Sequence, residues 1–171
     1  MSVPDYGRKR RLPHELAHYA VEGVLALDHG FWGRVASGAV FPGMQWLDGR
    51  RKPHASERSR SLVKTDPEAV EAECLVSAFE KIIDGRLDRD FARVDKFLKD
   101  AVHLGSRKAR SLSHDGVAGV CRAWRELQSQ WDAMRVGESL ALTWPMRHDP
   151  SPAKREREGP TRKRGRVRVG D

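Results

Sequence analysis

Apolar residues recur along this chain at the three-and-four spacing of helices, in about five runs between residues 12 and 137. In the first run, residues placed about 100° apart bring Leu16, Ala17, Ala20, Val21, Val24 and Leu27 onto one broad arc. Glu15, Tyr19, Glu22 and Ala26 fall opposite, on the side a helix leaves to water. Pro13 suits the opening turn and Gly30 the stop. The second run, Phe31 to Phe41, carries Val35, Ala36, Ala39 and Val40 and ends at Pro42-Gly43. Its small residues Gly33, Ser37 and Gly38 would let a neighbouring helix approach closely. Thr65-Asp66-Pro67-Glu68 then combines a cap, a first-turn proline and a Glu three positions after the cap, which is a strong helix start. That helix should reach Asp84, with Gly85 as terminator and Val70, Cys74, Phe79 and Ile82 inward. A fourth helix is expected from Asp88 to Leu104, closed by Gly105. The last, capped by Ser113, repeats Val117, Val120, Cys121, Trp124, Leu127, Trp131 and Met134 up to Gly137.

Between and beyond these runs the pattern changes. Ser139 to Trp144 alternates as a short strand does, but the sequence names no partner for it. Residues 42–66 hold glycine, proline, serines and bases and read as one long loop. Residues 1–11 are polar and basic and are expected to be flexible. From Pro145 onward, proline, glycine and charge leave little to bury, so disorder is the physical expectation for 145–171. The predicted fold is therefore mainly α: one domain over 12–144, a compact cluster of about five helices with one short C-terminal strand, and a disordered basic tail.

Composition refines this picture. At 171 residues the chain can build one core without staples. The net charge is +8; nine Lys/Arg against four acids in residues 147–171 supply +5 of it, leaving +3 for the rest. Arginine outnumbers lysine 23 to 9, as a compositional bias alone would produce. Cys74 and Cys121 are isolated inside predicted helices and read as small core residues in a reducing compartment. No stretch has the length of a membrane span, and no apolar run follows the N-terminal bases. A cytoplasmic protein with no membrane association is the expectation.

One local pattern carries chemistry. His14-Glu15-Leu16-Ala17-His18 matches the zinc-hydrolase pattern His-Glu-x-x-His. Histidines at i and i+4 on a helix point the same way and can share one Zn²⁺, with the glutamate as general base on a metal-bound water. A catalytic zinc also needs a third protein ligand. Val21 and Val24 occupy the positions of the compact Gly and His extension, so the candidates are His29, Glu71 and Glu73. The setting differs from that of the zinc peptidases. Pro13 puts His14 in an opening turn, where helices fray, and too little chain precedes it for the strands those enzymes place upstream. In the simpler structural alternative, His14 bonds solvent or backbone, His18 sits at the edge of the core, and Glu15 and Glu22 are solvated.

Leu12-Pro13-His14, His18, Val21-Glu22, Gly30-Phe31-Trp32-Gly33 and Ala36-x-Gly38-Ala39 resemble a group of small uncharacterised bacterial proteins. In that group Asp often stands where this chain has Glu15, which weakens the general-base reading. The resemblance implies no established activity.

Three functions follow from these features. The first is a binding or interaction module without catalysis, acting on a protein partner. The second is a zinc-dependent hydrolase with His14 and His18 as ligands, Glu15 as base, and Glu71, Glu73 or His29 completing the shell. The third is a nonspecific nucleic-acid binder whose tail bases Lys154, Arg155, Arg162, Lys163, Arg164, Arg166 and Arg168 contact phosphates. No aromatics interleave these bases, so stacking is not expected.

Overall fold

The computed structural model describes residues 2–4, 11–42, 44, 55–62, 67–105, 112–145 and 164–168. In chain order these form strand β1 (Ser2–Pro4), helices α1 (His14–Leu25), α2 (Phe31–Ser37), α3 (Ala55–Leu62) and α4 (Pro67–Asp84), a short 3₁₀ turn at Leu87–Arg89, helices α5 (Phe91–Gly105) and α6 (His114–Ala133), and strands β2 (Ser139–Thr143) and β3 (Arg164–Arg168). The mainly helical expectation holds.

α1 is the central element, packed against α2, α4 and α6. Leu16, Ala17, Ala20 and Val21 supply its core face as the wheel predicts, although Val24 stays exposed. α6 answers with Val117, Val120, Cys121, Trp124, Leu127 and Trp131, and α4 with Leu75, Val76, Phe79 and Ile82. Both tryptophans of α6 are thus core residues. The Ser113 cap is real, its Oγ accepting from the Gly116 N–H at 3.1 Å.

The opening turn of α1 is pinned rather than frayed. Leu12 and Pro13 are buried, and the Pro13 carbonyl accepts from Leu16 and Ala17 N–H, both at 2.9 Å. The helix stops earlier than Gly30: Ala26 turns left-handed (φ 59°), and the Leu27 N–H returns to the Glu22 carbonyl at 3.0 Å. α4 begins at Pro67 and ends at Asp84 as expected, but the left-handed residue after it is Arg86 (φ 52°), not Gly85.

One expectation needs correction. The 42–66 stretch is not all loop, because α3 lies within it. Its only buried polar anchor among the described residues is Ser59, whose Oγ accepts from the Val40 N–H (2.8 Å) and donates to the Val40 carbonyl (3.1 Å). A helix so polar has no apolar stripe for a pattern to detect. The remainder of that stretch, apart from 42 and 44, lies outside the described residues. Within the tail, residues 164–168 are among those described. They form β3, the middle strand of a three-stranded sheet ordered β1-β3-β2. β3 runs antiparallel to β2, with Leu140 opposite Val167, and parallel to β1, with Val3 opposite Val167. β3 is the partner that β2 lacked in the sequence. The sheet meets the helices where Leu142 enters the core and Tyr19 Oη donates to the Thr143 carbonyl at 2.7 Å.

Candidate metal centre

His14 and His18 lie one turn apart on α1, and Glu73 projects from α4, which packs alongside. Their polar atoms face one another at short range. His14 Nε2 is 3.2 Å from His18 Nε2, His14 Nε2 is 3.3 Å from Glu73 Oε2, and His18 Nε2 is 3.4 Å from Glu73 Oε1. A tetrahedral zinc with bonds of about 2.0–2.1 Å has ligand–ligand edges of about 3.3–3.4 Å. The His14–His18 distance matches such an edge, while the two contacts to Glu73 end on its different oxygens; with one atom from each residue, the three lie within 4.8 Å of one another.

The far side of His18 is fixed. Its Nδ1 donates to Glu22 Oε1 at 2.7 Å, which leaves Nε2 of the neutral ring as the lone-pair atom aimed at His14 and Glu73. Glu22 is fully buried. Its Oε1 also accepts from the Phe31 N–H at 2.7 Å, and its Oε2 from the Trp32 N–H at 2.8 Å. Two imidazole nitrogens facing each other at 3.2 Å repel unless a proton or a cation lies between them.

Electrostatics give the same picture. Burial pushes the His18 pKa down, but hydrogen bonds to Glu22 and Glu73 outweigh it and raise the value to about 9. The hydrogen bond to His18 in turn holds the Glu73 carboxyl below the usual range. Without metal, His18 is therefore an imidazolium between two carboxylates, and the pocket is built for positive charge.

Comparison with protein families, curated proteins and solved structures yields no match.

The expected ligands resolve as follows. Of the three candidates for third ligand, Glu73 joins the histidines. Glu71 is half-buried on the same helix but outside the group, and His29 is exposed in the turn after α1, its carbonyl accepting from Arg34 Nε at 2.7 Å. Glu15 is half-buried and is not one of the three grouped side chains; its carbonyl accepts from Trp32 Nε1 at 2.6 Å. Of the tail bases, Lys154, Arg155, Arg162 and Lys163 lie outside the described residues, while Arg164, Arg166 and Arg168 take alternate positions of β3.

Glu22 is the residue the sequence reading placed wrongly, in solvent. Two signals pointed the other way: it stands four residues after His18, and a glycine-flanked helix start, Gly30-Phe31-Trp32-Gly33, follows it.

Chemically, two imidazoles and one carboxylate suit zinc. The side chains of His14 and Glu73 are 56% and 59% exposed, so one side of the centre faces water. Among the described residues no fourth His, Cys, Asp or Glu joins the group. That is the form of a site with an open coordination position rather than a closed structural one.

Proposed function

We propose that this protein is a zinc-dependent hydrolase in which His14, His18 and Glu73 hold one Zn²⁺ and water takes the open fourth position. The observation that carries this reading is the convergence of His14, His18 and Glu73, one ligand atom from each lying within 4.8 Å of the others. Zinc bound there would supply a Lewis acid and acidify a water. Glu15, beside His14 on the same helix, would accept a proton from the water that attacks the carbonyl carbon of an amide or ester, and would return it to the leaving group as the carbon–leaving-group bond breaks. A role as a pure interaction module has less support: the large apolar side chains exposed among the described residues are Val24 and Val136, on separate parts of the chain.

Metal analysis of the full chain without a histidine tag tests the reading. One zinc per chain is expected, lost in His18→Ala and Glu73→Ala. Zinc-dependent cleavage of chromogenic esters or peptides should fall by about 10²–10⁴-fold in Glu15→Gln while zinc content stays constant. No zinc uptake after reconstitution would remove the metal centre. Zinc uptake with turnover indifferent to Glu15 would leave a metal-binding module and remove the catalysis.

A further inference from the structure

Glu22 touches no other member of the group than His18, yet it occupies the best-protected position near it. We infer that Glu22 is a positioning residue that sets the metal affinity of the site, and that through it metal occupancy is coupled to the docking of α2. The inference rests on the metal centre proposed above.

Glu22 distributes three donors over two oxygens: His18 Nδ1 and Phe31 N–H on Oε1, Trp32 N–H on Oε2. A buried carboxylate is tolerated only when so paired. The pairing fixes the ring plane and tautomer of His18 and increases the basicity of the nitrogen aimed at the metal. The Phe31 ring lies 5.8 Å from the His18 ring, so the imidazole is held by packing as well as by its hydrogen bond.

The Gly30-Phe31-Trp32-Gly33 segment thereby acquires a role at the centre without supplying a ligand. A Cβ on Gly30 would stand 2.3–2.6 Å from the Glu22 carboxyl atoms, so only glycine leaves the carboxylate its seat. Phe31 and Trp32 supply the two amides. The Trp32 indole then reaches back to the Glu15 carbonyl, fastening the helical turn that lies between His14 and His18. One side of α2 therefore orients His18, and the other secures the start of α1. Coupling is reciprocal: if docked α2 favours metal binding, bound metal favours docked α2.

The test uses the metal-free full chain, titrated with Zn²⁺ against a chelator and with Co²⁺ as a spectroscopic probe. Glu22→Gln keeps the size but offers one acceptor oxygen where two are used; Gly30→Ala displaces the carboxylate without touching any ligand. Both variants should lose about 10–100-fold in zinc affinity and alter the visible Co²⁺ spectrum. In the wild type, zinc should slow amide exchange at Phe31 and Trp32. Wild-type zinc affinity and Co²⁺ spectrum in either folded variant would overturn the inference, because a purely structural role would lower only the melting temperature. Should both variants unfold, the exchange measurement decides: zinc bound to the wild type with no added protection at Phe31 and Trp32 overturns it. A wild type that binds no zinc is a different outcome and removes the metal centre itself.

Discussion

His18 concentrates the chemistry of this chain in one side chain. Its ring is 3% exposed, donates to Glu22 and faces Glu73 and His14. In metal-free protein its pKa of about 9 lies above the 6.5 of an unfolded chain. The folded state therefore binds the extra proton, so the stabilisation is fully present below about pH 6.5 and is lost as pH rises through about 9. The full difference corresponds to roughly 3 kcal/mol. Denaturant unfolding of the metal-free chain should show a decline from pH 7 to 9.5, and His18→Gln should flatten it; a wild type equally stable across that range would contradict the assignment. At this scale the sequence was half legible. The two histidines and a short set of third ligands could be read from spacing and residue type. Choosing Glu73 over Glu71 required the rotation of α4 against α1, and the burial of Glu22 required α2 to fold back over a helix side that its own pattern marks as polar.

The corner between α1 and α2 is the element that makes this arrangement possible, and its backbone is demanding. Ala26 adopts φ 59°, a left-handed conformation that disfavours any residue with a Cβ. Replacing it with glycine should stabilise the protein by about 0.5–1 kcal/mol, after allowing for the greater flexibility of the unfolded chain. Thermal unfolding measures this, and a lower melting temperature would show that the corner is not strained. Gly33 is the opposite case. A Cβ there would come within 1.9 Å of the Asp28 carbonyl oxygen, which is backbone and cannot swing aside. Gly33→Ala should cost about 3 kcal/mol or more, read from the denaturant midpoint. Elements with strong apolar stripes were the most legible: α4 could be placed at both ends and α6 at its start, although α6 stops at Ala133 rather than running up to Gly137. α3 could not, since among its described side chains the one buried is Ser59. The true end of α1 was hidden because Ala26, an ordinary helix former, serves as the left-handed cap.

At the scale of the molecule, the centre joins parts far apart in the chain, and that gives zinc a thermodynamic signature. β2 showed its alternation in the sequence, whereas β3 was masked by its charge; each is defined by the other, and the sheet they make is tied to α1 beside His18 through Tyr19 and Thr143. His14 and His18 stand one turn apart on the same helix, but Glu73 meets them only when α4 is packed against α1. A ligand that binds the folded chain alone stabilises it by mass action, about 2.7 kcal/mol at a free concentration one hundred times its dissociation constant. For a chain of this size each kcal/mol raises the melting temperature by about 2–4 °C, so zinc should raise it by about 5–10 °C. Glu73→Ala should retain the fold, because that side chain is more than half exposed, yet lose most of the increase. The i,i+4 histidine pair survives in that variant and measures what two ligands on one helix achieve alone. An equal zinc response in wild type and Glu73→Ala would mean that the metal sees only the helix and not the folded group of three.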